Sequence, residues 1–360
     1  MTAPLQLRIG VLHGDGIGPE VVPAAVKVID AALAAQSEVA IAWQRLPIGH
    51  EAIAVCGEPT PATTLEALDI LDAWILGPHD SASYPEPWRS QLTPGGAIRK
   101  RFDLFANIRP ARALTGTDAV VPKMDLVVVR ENTEGFYADR NMHVGSGEFM
   151  PTPDLAMAVG VVTRRACERI AHEAFRLAQS RRGAVTIAHK ANVLSMTTGL
   201  FRDVCLEVAQ QYPDVAVDHQ HIDALAAHLV RHGDSFDVIV TENMFGDILS
   251  DLTGELAGSI GIAPSLNSSD TKAMAQAAHG AAPDIAGLGI ANPVATILSS
   301  AMLLRWLAIK HDRPGCADLA STIETAVDTV ITDGIYTADL GGDASTGTFV
   351  EAVTTTIARL

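Results

Sequence analysis

The sequence predicts an α/β protein built on a mainly parallel sheet covered by helices, and three observations carry the prediction. Short runs rich in Val and Ile alternate with longer segments of helical period, the pattern of strands buried on both faces. Hydrophobic residues make up 48% of the chain and charged residues only 19%, which is enough apolar surface for large cores. The 360 residues contain no free-standing linker, internal repeat or charge block, so any two domains must be intimately joined.

The elements follow in order. Residues 7–12 read as the first strand and 19–34 as a helix with proline at its favoured first turn. Strands are expected at 40–45 and 73–76, then a loop over 77–96 that holds three prolines before Thr93-Pro94-Gly95-Gly96. A strand at 126–129 precedes the Gly- and Pro-rich stretch 139–153; such long connections serve as binding loops, lids or interface arms. Residues 155–178 read as a helix, 184–188 as a strand and 200–210 as a helix. Strands at 215–218 and 238–240 follow, and 291–308 is a helix so apolar that it is expected to be buried.

The formal net charge of −16 disfavours nucleic acid and anionic membranes, whose repulsion would act at every encounter. The first ten residues show no basic segment followed by an apolar core, and no uncharged apolar run reaches the roughly 18 residues that span a bilayer. A cytoplasmic protein without membrane or nucleic-acid partners is expected. Cys56, Cys167, Cys205 and Cys316 are scattered and form no CxxC pair, so reduced, packed thiols are expected.

Three groups of residues bear on chemistry. His13-Gly14-Asp15-Gly16-Ile17-Gly18-Pro19-Glu20 lies between the first strand and its helix; it is either a phosphate-binding turn or a plain tight turn, and its spacing fails the GxGxxG fingerprint at Pro19. In the segment Thr241 to Leu252, a helix from Gly246 puts Asp247 and Asp251 one turn apart, with about 5–6 Å between them. They are either two hard oxygen ligands for Mg²⁺ or Mn²⁺, or the polar face of a helix whose apolar face is Phe245, Ile248, Leu249 and Leu252. Arg99, Arg109 and Arg130 suit a di- or tricarboxylate if they converge, because a guanidinium binds a carboxylate through two parallel hydrogen bonds. Arg130 and His189-Lys190 both end apolar strands, where parallel sheets place their sites. Lys190 there is either a proton-transfer residue or a cation at the sheet edge.

Taken together, six strings in order over nearly the whole chain resemble the isocitrate and 3-isopropylmalate dehydrogenase family of metal-dependent oxidative decarboxylases: GDGIGPEV, IRKRFDLFANIRPA, VRENTEGFY, HKANVL, TENMFGDILSDL and HGAAPDIAGLGIANPVATILS. The resemblance implies an α/β fold that is not a Rossmann fold, with an active-site cleft between two domains. Residues 1–103 plus 256–360 would form a large cofactor-binding domain, and 104–255 a small domain carrying the dimer interface and an arm. Arg99, Arg109 and Arg130 then match the clamp on the malate carboxylates, with Thr93 beside them, and Asp247 and Asp251 match metal ligands. Asp223 matches the third metal carboxylate, donated across a homodimer, in a looser context than usual. Lys190 likewise matches a residue that reaches the neighbouring subunit's site, and Tyr137 matches the proton donor.

The cofactor implied is NAD, together with Mg²⁺ or Mn²⁺. Ile17, Asn192, Gly258, Ser259, Gly261, His279, Gly280, Asp284, Ile285 and Asn292 fall on its binding positions, Asp284 at the ribose hydroxyls and Asn292 at the adenine. NADP-using relatives place Lys-Tyr at Asp284 and Ile285, and a carboxylate there repels a 2′-phosphate. Gln276-Ala277-Ala278 replaces the usual Glu-Pro ahead of His279. The C3 substituent of the substrate is read just before Arg99, where Gly95 and Gly96 supply neither the leucines of isopropylmalate enzymes nor the Ser and Asn of isocitrate enzymes. The implied reaction is oxidative decarboxylation of a 3-substituted malate, 3-isopropylmalate or an isocitrate-like acid first. Tartrate or D-malate dehydrogenase, or a noncatalytic regulatory subunit, are the alternatives.

Overall fold

A computed structural model of the protein describes residues 4–36, 38–137, 139 and 142–360. The elements begin with β1 (Leu5–Leu12), α1 (Gly18–Leu33), β2 (Val39–Arg45), α2 (Gly49–Cys56), α3 (Ala62–Asp69), β3 (Ala73–Leu76), α4 (Pro94–Arg101), β4 (Ala106–Arg112) and β5 (Asp125–Glu131). They continue with β6 (Glu148–Thr152), β7 (Leu155–Ala158), α5 (Arg164–Gln179), β8 (Ala184–His189), α6 (Thr197–Ala209), β9 (Ala216–His221), α7 (Ile222–His232), β10 (Val238–Thr241) and α8 (Asn243–Leu256). The chain ends through β11 (Leu266–Ser268), β12 (Ala273–Ala275), α9 (Val294–His311), α10 (Pro314–Thr332) and α11 (Thr346–Ile357).

One ten-stranded sheet runs in the order β2-β1-β3-β12-β11-β4-β5-β10-β8-β9. Its two ends are parallel, β1 with β2 and β3 on one side, β10 with β5 and β8, and β8 with β9 on the other. The middle, β12-β11-β4-β5, is antiparallel. Of these, β5 matches the strand expected at 126–129, while β4, β11 and β12 leave little trace in the sequence. β11 and β12 have three residues each, too few for a period, and β4 carries Asn107, Arg109 and Pro110 where an apolar run is expected.

Helices cover both faces. α1, α9, α10 and α11 pack with β1, β3 and β12 in one core that includes Val21, Val28, Ile297, Leu304, Ile323 and Phe349. α5 and α6 cover one face of β5, β8 and β10, while α7 and α8 cover the other. Helix α9 is buried along most of its length, as its composition predicts. No helix among the described residues is long and apolar enough to cross a membrane.

Three expectations change. Residues 155–158 are not helical: they form β7, which pairs antiparallel with β6 in a separate ribbon whose residues are all exposed. Leu-Ala-Met-Ala is good helix-forming composition, which carried the predicted helix too far upstream. The chain is held otherwise because Gly160 lies against the Phe136 ring, and α5 starts only after Thr163, whose hydroxyl caps Ala166 N–H at 3.2 Å. Cys167, Cys205 and Cys316 are buried, but Cys56, in the last turn of α2, is exposed. In α8 the buried face is Asn243, Gly246, Leu249, Ser250 and Thr253, and Ile248 is exposed. Leu249 and Leu252 of the expected apolar face do pack on the core, but Ile248 is left outside because the helix also turns its small and polar residues onto buried arginines.

Candidate active site

β4 and β5 are neighbours in the sheet and carry Arg109 and Arg130. The two side chains are only 7% and 2% exposed, so each guanidinium must be paired. Arg130 lies across α8 at Gly246 and donates to Asn243 Oδ1 from Nε at 2.9 Å and Nη2 at 2.6 Å, while its Nη1 pairs with Asp247. Arg109 donates to Asn107 Oδ1 at 2.6 Å and Ser250 Oγ at 2.7 Å, and its Nη1 stands 3.2 Å from Asp247 and 3.4 Å from Asp251. The Tyr137 hydroxyl donates to the other Asp247 oxygen, and its ring lies 5.4 Å from the Arg130 guanidinium. Burial alone would raise the Asp247 carboxyl, but Arg130 and Arg109, with Tyr137, hold it below the usual carboxylate range. Asp251 goes the other way, raised by burial and by the charge of Asp247 against the pull of Arg109.

Of the remaining predicted residues, Arg99 lies close enough for its positive charge to help hold the Asp247 carboxyl down, while Lys190 and Asp223 form a separate group within the chain. Arg99, on α4, donates to Gln276 Oε1 at 2.8 Å, and the Thr93 hydroxyl caps that helix by accepting from Gly96 N–H at 3.1 Å. Lys190 pairs with Asp223, holding that carboxyl below its ordinary range. The turn carrying Lys190 is tied by its own N–H to Thr198 Oγ1 at 3.0 Å and by Ala191 N–H to His189 Nδ1 at 3.0 Å. That bond leaves the His189 proton on Nε2, facing His219 Nδ1 at 3.0 Å, and burial together with His219 lowers its pKa to about 4. Asn192 is exposed on the same turn.

Asp247 and Asp251 fit a hard divalent cation in donor type and spacing, and both already face one shared positive charge, the Arg109 guanidinium. Asp223 lies apart from them in the chain. Among the described residues no group of three or more His, Cys, Asp or Glu gathers as a metal site.

The glycine turn after β1 anchors a distant loop. Ile17 N–H donates to Ala281 O at 2.9 Å, and at Gly16 (φ +57°) a Cβ would stand 1.9 Å from that same oxygen. Glu20 accepts from Gly289 N–H at 3.2 Å, Ala291 N–H at 2.8 Å and the Thr346 hydroxyl. The buried Asp15 accepts from His50 N–H, Asp80 N–H and the Tyr84 hydroxyl. The turn thus uses its backbone and carboxylates to bind loops, which is the tight-turn reading of the motif. The loop it holds carries His279, Gly280, Asp284, Ile285 and Asn292. His279 Nδ1 donates to Gly280 O at 3.0 Å and its shielded Nε2 has no partner, Asp284 is exposed, and a Cβ at Gly280 would meet nothing within 4 Å. Those features leave room and an acceptor for a nucleotide.

Ser259 Oγ and Asn292 Nδ2 both donate to Asp339 Oδ2, at 2.7 and 2.9 Å, and Gly261 N–H donates to Ser259 Oγ at 2.9 Å, beside Gly258 (φ +137°). Sequence reasoning missed Asp339, which sits in a turn with no spacing signal, and Asn243. The second was detectable, since it stands one turn before Asp247 as Asp251 stands one turn after.

The sequence model of the family described as isocitrate/isopropylmalate dehydrogenase matches residues 8–353. An isocitrate/homoisocitrate dehydrogenase of Thermus thermophilus is 43% identical over 357 residues, covering 97% of this chain and 98% of that protein. A 3-isopropylmalate dehydrogenase of Archaeoglobus fulgidus is 41% identical over 347 residues, covering 96% and 98%. The crystal structure of isocitrate dehydrogenase from Methylococcus capsulatus superposes with a TM-score of 0.87 at 38% identity, covering 98% of this chain and 99% of that one. Arginines converging on helical carboxylates, six motifs in order and similarity from end to end agree, and the chain belongs to the isocitrate/isopropylmalate dehydrogenase family.

Proposed function

We propose that the protein catalyses NAD-dependent oxidative decarboxylation of a 3-substituted malate, 3-isopropylmalate or an isocitrate-like acid, with Mg²⁺ or Mn²⁺, as a cytoplasmic homodimer. The observation that carries this reading is the convergence of Arg109, Arg130, Tyr137, Asp247 and Asp251 on one patch where β4 and β5 meet α8. Two buried guanidiniums within reach of two carboxylates form a site for an anion and a cation together. The presence of the whole set speaks against a noncatalytic subunit.

Arg109 and Arg130, joined by Arg99, bind the substrate carboxylates, and Asp247 and Asp251, with Asp223 from a second copy of the chain, would hold the divalent ion. When bound, the nicotinamide would supply the acceptor for the C2 hydride and the cation would supply positive charge to offset the negative charge on the substrate oxygens. Lys190, from the same second copy of the chain, acts with its partner Asp223 to take the hydroxyl proton as C2 becomes a carbonyl. The carboxylate on C3 leaves as CO₂, its bonding pair forming the enolate, and Tyr137 delivers a proton to C3. Asp284, exposed beside the cofactor loop, supports NAD over NADP through repulsion of the 2′-phosphate. The apolar clusters support the two-domain reading: one draws on both chain ends, while the two around β5, β8 and β10 draw on residues between 105 and 257. The exposed β6-β7 ribbon, with Phe149, Met150, Leu155 and Met157, supports an arm that packs on a second subunit.

The test is NAD reduction with Mg²⁺ or Mn²⁺ across 3-isopropylmalate, isocitrate, homoisocitrate, tartrate and D-malate, repeated with NADP and with EDTA. Metal-dependent reduction of NAD by one of these acids is expected. Silence across the panel sinks the reading.

A further inference from the structure

Ahead of α4, the imidazole of His79 sits beside the backbone of Gly95. Both of its ring nitrogens are shielded from solvent, and neither has a hydrogen-bond partner. A Cβ built on Gly95 would lie 3.5 Å from His79 Cδ2, 3.6 Å from His79 Nε2 and 3.6 Å from Gln276 Nε2, so the missing side chain leaves room for a single atom the size of a methyl group or an oxygen, with two nitrogens among its neighbours. Gln276 is itself fixed, accepting from Arg99 and donating to Gly77 O at 3.4 Å. Arg99 is the first arginine of the proposed carboxylate clamp, so Gln276 links this small polar space directly to a residue that would hold the acid.

An imidazole with no partner for either nitrogen is costly to keep in a fold, because a buried polar group without a hydrogen bond loses its hydration for nothing. Packing does not demand histidine here, since an apolar side chain of similar size would fill the position without that cost. The burial of the ring, with Arg99 nearby, lowers its pKa to about 4, so at neutral pH it offers one N–H donor and one acceptor. The residue as a whole is only partly buried, and rotation about the soft χ2 bond brings a nitrogen toward a ligand in the gap.

We propose that His79 is a specificity-determining residue that hydrogen-bonds an oxygen carried by the C3 substituent of the substrate, so that the enzyme favours malates bearing a polar C3 group over 3-isopropylmalate. This rests on the decarboxylating-dehydrogenase reading above and narrows its substrate class. An isopropyl group would leave both ring nitrogens unpaired and place two methyl groups against nitrogen. A hydroxyl on C3 or a carboxylate one carbon further out satisfies the same donor.

The experiment measures kcat/KM of the full-length protein with NAD and Mg²⁺ for isocitrate, tartrate, 3-isopropylmalate and D-malate, which has no C3 substituent, in the wild type and in His79→Ala, His79→Gln and Gly95→Ala. The wild type is expected to favour isocitrate or tartrate over 3-isopropylmalate by roughly 10- to 100-fold, and His79→Ala to lose about that factor on the favoured acid but far less on D-malate. His79→Gln, which keeps a donor and an acceptor, restores part of the loss. Gly95→Ala keeps the imidazole but sets a methyl group against its Cδ2 and Nε2, and produces the same selective loss, which keeps the test valid if His79→Ala folds poorly. The isocitrate and tartrate arms tell a carboxylate partner from a hydroxyl. A wild type that prefers 3-isopropylmalate overturns the proposal, as does a His79→Ala variant that slows all four acids in proportion. Absence of turnover with every acid, in protein whose melting temperature none of them raises, overturns the underlying reading and this inference with it.

Discussion

At the N-terminus of α8 the Glu242 side chain is buried near Glu131 and Glu134, and one of its carboxyl oxygens has no hydrogen-bond partner. Burial first, then the charges of Glu134 and Glu131, push its pKa up to about 7. Between the ordinary carboxylate value and about 7 the unfolded chain has released this proton while the folded chain still holds it. The contribution of this group to stability therefore falls as pH rises through that window. Glu242→Gln removes the titration while keeping the shape. The melting temperature of the variant, measured against wild type, is expected to gain about 2–4 °C between pH 5 and pH 8. A difference that does not change with pH contradicts the assignment.

Helix α8 is the element on which the site is strung. Asn243, Asp247 and Asp251 recur every four residues and form one stripe, which faces the guanidiniums of Arg130 and Arg109. The stripe reaches the strands because Gly246 lets the Arg130 stem lie against the helix backbone; a Cβ there would stand 2.6 Å from Arg130 Cβ and Cγ. Alanine in place of a mid-helix glycine ordinarily stabilises a helix by up to about 1 kcal/mol. Here the clash falls on the inflexible root of a buried side chain. Gly246→Ala is expected to lower the melting temperature and to reduce kcat/KM at least tenfold by displacing Arg130. A variant of higher stability with unchanged kinetics would refute this packing argument.

For the whole molecule, the separation of Lys190 and Asp223 from Asp247 and Asp251 within one chain is what the proposed homodimer with sites shared between two copies predicts. Lys190→Ala and Asp247→Asn are each expected to be inactive. When the two are unfolded and refolded together in equal amounts, half of the dimers are hybrids, each with one intact site. About a quarter of wild-type activity should return, because the two substitutions then fall on the same one of the two symmetry-related sites. No recovery, from a mixture shown to contain hybrid dimers, means that each chain builds its site alone.

What could be read from the sequence is what local spacing controls. The buried parallel strands β5, β8 and β10 show as short Val- and Ile-rich runs, and α9 shows as an apolar helix. The pair Asp247 and Asp251 follows from a repeat of four on one helix, and the family follows from strings of contiguous residues. The antiparallel centre did not show, because strands of three residues, and a strand built around buried Asn107 and Arg109, have no periodicity to detect. Nor did the register that sets Arg130 against Asn243, the carboxylate of Glu20 on a loop about 270 residues downstream, or Asp339 beneath Ser259 and Asn292. Those contacts join segments that are far apart in the chain, and only the packing of helices and strands around the sheet brings them within hydrogen-bonding distance.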